Sequence, residues 1–155
     1  MKITIDLVPI LIADDDPEDR MLLQEALLEC RLGNPLYFVE DGEQLLDFLK
    51  NRGRFSAPEA APRPGLVLLD LNMPKVDGLE ALEAMRADPE LRHLPVVVLT
   101  TSNAHTDVRS CYELGVNSFI TKPVTFDGLV EAVKVMGRYW FEVVELPSKD
   151  EGGRG

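Results

Sequence analysis

Three short runs, "ILIA" (10–13), "LVLLD" (66–70) and "PVVVLT" (95–100), are apolar at consecutive positions rather than at alternate ones. A strand sends successive side chains to opposite faces, so strands this apolar must be covered on both. Sheets of that kind are parallel, and each parallel return needs a crossover, usually a helix. The intervening segments read as those crossovers. A helix follows Pro17, with Leu22, Leu23, Ala26, Leu27 and Cys30 on its apolar side and Gly33 at its end, and Pro35–Val39 reads as a second strand. "DGEQLLDFLKNR" turns Leu45, Leu46, Phe48 and Leu49 inward as a helix, and the exposed loop "GRFSAPEAAPRPG" leads to the third strand. "GLEALEAMRADPE" is a helix stopped by Pro89, and the fourth strand is followed by a helix from about Thr106 to Leu114. Ser118–Ile120 is a short fifth strand, and a last helix runs from about Phe126 to the residues before Pro147. Five strands alternating with five helices predict a doubly wound α/β fold with a parallel sheet.

With 155 residues, 45% of them hydrophobic, the chain suffices for one real core, so one domain is expected over 1–147, followed by a disordered polar tail over 148–155. The net charge of -11 argues against nucleic acid as a partner, because phosphate binding needs clustered Lys and Arg. No apolar run approaches the roughly 18 residues of a membrane span. The N-terminal "MKITIDLVPI" lacks a small-residue cleavage site, so no signal peptide and a cytoplasmic location are expected. Cys30 and Cys111 read as free buried thiols.

Ligands of doubly wound sheets bind outside the carboxyl ends of the strands. Those ends carry Asp14 and Asp15 after the first strand, Asp70 after the third, Thr100 after the fourth, and Lys122 beyond the fifth. Adjacent carboxylates repel, so the acidic group calls for a cation besides the Lys122 ammonium. Oxygen-only donors favour a hard ion such as Mg2+ over zinc. In "LLDLNMPKVDG" Asp70 stands at the strand tip as an exposed nucleophile, and Gly78 lets the backbone curl back near it. Pro123 restricts Lys122 and so aims its ammonium. Asp16 reads as a turn or cap residue. A rival reading makes Asp14 the nucleophile and Asp16 the acid of a phosphatase-like D-x-D motif, although Glu18 stands where that family expects Thr or Val.

"ILIADDD", "LLDLNMPKVDG", "VVVLTTS" and "SFITKPV" resemble, in order and spacing, the motifs of response-regulator receiver domains over roughly Pro9 to Val135. The resemblance implies a flavodoxin-like sheet of order 2-1-3-4-5 and a phosphoacceptor of a histidine kinase, not an enzyme beyond promoting its own phosphorylation and dephosphorylation. It implies that Asp70 receives the phosphoryl group and that Asp15, Asp70 and the Asn72 carbonyl hold Mg2+, with Asp14 helping through water. Lys122 and Thr100 then contact the phosphoryl group, and Phe119 turns inward as Thr100 is drawn toward it. "TTS" (100–102), the Pro-rich loop and the last helix with "RYWFEVVELP" are similar to single-domain regulators of bacterial phytochromes. A generic stand-alone receiver or relay component is the alternative. No output domain is expected after the last helix, so association or phosphotransfer is the expected output.

Leu129, Val133, Met136, Trp140 and Val143 recur at spacings of 4, 3, 4 and 3, a heptad stripe on one helix face. Phe141, Val144 and Leu146 widen it. The expectation is a symmetric homodimer with Met136, Trp140, Phe141, Val143 and Val144 in its interface.

Overall fold

The computed structural model of the protein describes residues 8–30, 33–57, 60–101, 105–123 and 125–138. Its strands are β1 (Ile10–Ala13), β2 (Leu36–Val39), β3 (Leu66–Leu69), β4 (Val96–Thr100) and β5 (Ser118–Thr121). The helices between and after them are α1 (Pro17–Glu29), α2 (Gly42–Leu49), α3 (Gly78–Ala87), α4 (His105–Glu113) and α5 (Phe126–Arg138). All four pairings are parallel, and the sheet order is β2-β1-β3-β4-β5.

The solid apolar runs divide their side chains between two layers. Ile10, Ile12, Leu66, Leu68, Val97 and Leu99 pack with Leu23, Ala26 and Leu27 of α1 and Leu129 and Val133 of α5. Leu11, Ala13, Val67, Leu69, Val96 and Val98 face the other way, onto Leu45 and Phe48 of α2, Ala81, Leu82 and Met85 of α3, and Cys111 of α4. Period-two alternation under cover on both faces thus accounts for the runs.

Local chemistry sets the helix ends. Asp16 caps α1 by accepting from the Glu18 amide at 2.9 Å, ahead of Pro17 in the first turn. Asp77 and Glu80 form a reciprocal capping box at α3. That helix stops at Ala87 because Asp88, before Pro89, is extended. The loop after α2 is less irregular than its composition suggests. Gly53–Phe55 forms a single 3-10 turn that brings Phe55 to 5.2 Å from Phe48, ring centre to ring centre.

The Arg86 guanidinium donates to the carbonyls of Leu114 (2.6 Å), Arg92 (2.9 Å), Leu94 (3.0 Å) and Gly115 (3.1 Å). One side chain on α3 thereby ties the turn before β4 to the turn before β5. Cys30 and Cys111 are free, and burial pushes the Cys111 thiol up to about 11, with Asp107 adding to the shift.

The apolar stripe of α5 is partly consumed at home. Met136 is only 6% exposed and packs in the same layer as Leu129 and Val133. It belongs to the chain's own core rather than to the expected interface, because its position on α5 faces the sheet. Trp140, Phe141, Val143 and Val144 lie outside the described residues.

Candidate functional site

The chemistry-bearing residues are held by the sheet itself. Just past the strands, the Asp14 amide donates to the Val39 carbonyl (3.0 Å), the Asp70 amide to Ala13 (3.0 Å), and the Lys122 amide to Thr100 (2.8 Å). Each of the three is a final rung of the parallel ladder, so the side chains start from fixed points on one sheet edge.

At the centre is Asp70. Its Oδ1 accepts from the Thr100 hydroxyl at 2.7 Å and from the Asn72 amide at 3.0 Å, and its Oδ2 accepts from Lys122 Nζ at 3.2 Å. These partners cover the carboxylate. Asp70 is 7% exposed, which corrects the expectation of an exposed nucleophile. The Asn72 side-chain amide reaches toward the Thr100 and Thr101 hydroxyls at 3.4 Å each.

Lys122 also donates to Asp14 Oδ2 at 2.6 Å and to Asp19 Oδ2 at 2.8 Å. Burial by itself lowers its pKa, but the hydrogen bonds to Asp14 and Asp19 and the charges of Asp14 and Asp70 outweigh that and raise it. The ammonium stays charged. Asp14, 1% exposed, is pushed up by burial, against the opposing pull of Lys122 and the Asp16 amide.

Asp14, Asp15 and Asp70 each bring a carboxylate oxygen within 4.8 Å of the other two, with Asp15 exposed and the others buried. One ammonium cannot neutralise these three and Asp19 as well. A set of hard oxygen donors with surplus negative charge, open to solvent on the Asp15 side, fits a divalent cation. Asp16 takes no part, because its carboxylate caps α1. The D-x-D reading therefore loses its acid, and its nucleophile, Asp14, is tied to Lys122. Phe119, opposite Val98 in the β4–β5 register, is half-buried against the layer beneath α2, α3 and α4.

The sequence reading brought Asp14, Asp15, Asp70, Thr100 and Lys122 together as the structure does, and it missed Asp19. The signal was present: Asp19 lies in the first turn of α1, a helix that starts directly after the acidic strand end, and so stays beside it.

The profile of the response regulator receiver domain matches residues 10–134. The chain belongs to the response-regulator receiver family. As a receiver it is a signalling phosphoacceptor of two-component systems. Response regulator Rcp1 of Synechocystis sp. is 40% identical over 139 residues, spanning 90% of this receiver and 92% of that protein. The crystal structure of Rcp1 in its Mn2+-bound form matches with a TM-score of 0.82 at 40% identity, over 91% of this chain and 99% of that one. The phosphorylated cyanobacterial phytochrome response regulator RcpA matches with a TM-score of 0.85 at 37% identity, over 92% of this receiver and 100% of that chain. No helix among the described residues is long and apolar enough to cross a membrane.

Proposed function

We propose that this receiver takes a phosphoryl group from the phosphohistidine of a phytochrome-type histidine kinase onto Asp70, with Mg2+, and signals by changed association. The observation that carries the reading is the grip on one carboxylate: Thr100 at 2.7 Å on one oxygen and Lys122 at 3.2 Å on the other. An Asp70 oxygen bonds to phosphorus while the P–N bond of the donor breaks, its electrons returning to the imidazole nitrogen. Positioning and charge stabilisation carry most of such a transfer. The Lys122 ammonium and the Thr100 hydroxyl are donors beside the oxygens on which charge develops. The resulting mixed anhydride is labile. Asp15, Asp70 and the Asn72 carbonyl would hold Mg2+, with Asp14 acting through water, and the bound ion supplies positive charge to the phosphoryl oxygens.

Output follows from population shift, since only a state that contacts the new phosphoryl oxygens better is favoured by them. Thr100 and Phe119, on neighbouring strands, are the pair we assign to that shift. The phytochrome pairing is supported by the likeness to Rcp1 and RcpA over nine-tenths of the chain. The test is phosphotransfer from purified, radiolabelled kinases. A phytochrome histidine kinase should label the receiver faster than kinases of other sensor classes do, and chelating the metal should stop the transfer. Equal labelling by all kinases would remove the phytochrome assignment, and metal-independent labelling would remove Mg2+.

We further propose that the receiver is a homodimer through Trp140, Phe141, Val143 and Val144. Support comes from the apolar stripe, which continues past Met136, the last described member facing the core. Large apolar side chains clustered in this way mark interfaces. Light scattering at micromolar concentration should give a dimer for the full chain and a folded, phosphorylatable monomer after Trp140→Ser with Phe141→Ser. A dimer that survives both changes would place the interface elsewhere.

A further inference from the structure

We infer that Asp19 is a positioning residue that restrains Lys122, acting as a brake on phosphorylation; this deepens the phosphoacceptor reading and rests on it. An ammonium has three N–H donors. Here each has a carboxylate, at 2.6 Å (Asp14), 2.8 Å (Asp19) and 3.2 Å (Asp70). The longest of the three is to the phosphoacceptor. Asp14 and Asp19 thereby take two of the three donors that an incoming phosphoryl group could use.

The two restraining carboxylates are not equivalent. Asp14 is buried, with its other oxygen fixed by the Asp16 amide at 3.0 Å. The Asp19 side chain is 34% exposed and borders a cavity of about 70 Å3 between α1 and the start of α5, also lined by Lys122, Pro123 and Phe126. Asp19 thus has room to swing aside, and it is the contact that can yield when Lys122 turns to the phosphoryl oxygens. Until it does, it occupies one donor and adds a negative charge beside the path of an anionic phosphodonor.

Asp19→Asn keeps the shape and removes the charge. With acetyl phosphate as donor at fixed Mg2+, the variant should be phosphorylated about three- to tenfold faster than wild type, the effect of removing one like charge from a partly solvated site. Its rate should depend less on salt, because one charge no longer needs screening. Metal-free protein gives a second readout. The 15N-detected ammonium protons of Lys122 should exchange slowly in wild type and faster in Asp19→Asn, and Asp19→Glu should restore both properties. Asp19→Ser serves the same purpose should the amide disturb the start of α1.

An unchanged or slower rate in a folded variant, with wild type labelling normally, would overturn the brake. So would unaltered Lys122 exchange. Failure of wild type itself to be labelled at Asp70 would instead sink the phosphoacceptor reading, and the brake with it.

Discussion

Asp70→Asn should fold as the wild type does and accept no phosphoryl group. The amide oxygen can still take the Thr100 and Asn72 hydrogen bonds now made to Oδ1, so the strand end keeps its partners. The amide nitrogen that replaces Oδ2 can only donate, so the 3.2 Å contact with Lys122 is lost, while Asp14 and Asp19 still hold the ammonium. The chemistry does not survive, because a neutral amide is a poor nucleophile and a weak ligand for a hard cation. Labelling by a phosphohistidine donor should fall by at least about 100-fold, a loss of the size expected when the attacking group is removed. Circular dichroism and a melting curve beside the labelling gel separate the two effects. Full labelling of Asp70→Asn would move the nucleophile, with Asp14 the first residue to test.

The second large effect should come from a residue without a side chain. A Cβ on Gly78 would lie 2.4 Å from the Asp70 carbonyl oxygen and 2.6 Å from the Leu71 Cα, both backbone atoms. Neither can swing aside as a side chain would. The Gly78 amide also donates to the Leu71 carbonyl at 3.0 Å, which closes the loop directly beneath the phosphoacceptor. Gly78→Ala must therefore push α3 outward or shift the peptide after Asp70. Overpacking of this kind costs about 1–3 kcal/mol. A displacement near 1 Å at a reacting group costs on the order of 100-fold in rate. Thermal melting should fall, and the phosphorylation rate should fall further than the stability loss accounts for. An Ala variant equal to wild type in both would mean that the loop gives easily and that the close approach has no role in aiming Asp70.

Much of this was legible in the residues because the deciding terms were local or periodic. Consecutive apolar positions in "LVLL" and "VVVL" required cover on both faces, and the two observed layers provide it. A polar residue directly after such a strand can only stand at the sheet edge, so Asp14, Asp70, Thr100 and Lys122 were bound to meet. Gly78 signals that the backbone curls back near Asp70, and the close approach is there. The harder features depend on which way a side chain turns across space. Asp19 reads as an ordinary acid in a helix's first turn until Lys122, 103 residues later, is brought against it. Arg86 reads as a surface charge until two turns present their carbonyls to it. The exposure expected of Asp70 failed for the same reason, since its cover comes from β4 and from beyond β5. Met136 continued a stripe whose period is the same whether it faces a partner or the chain's own sheet.

The ladder amides of Asp14, Asp70 and Lys122 carry a consequence for how such a molecule changes over generations. Its reactive groups are registered by main-chain hydrogen bonds, which every residue except proline supplies. The outward faces of the helices, where Met21, Leu28, Tyr112 and Val135 stand in solvent, contribute nothing to that registration. Substitutions there can drift with little loss of stability while the reaction stays as it was. A duplicated gene can therefore acquire a different kinase or a different listener without passing through an inactive intermediate, and the diversity of its descendants should accumulate on the helices while the sheet edge stands still.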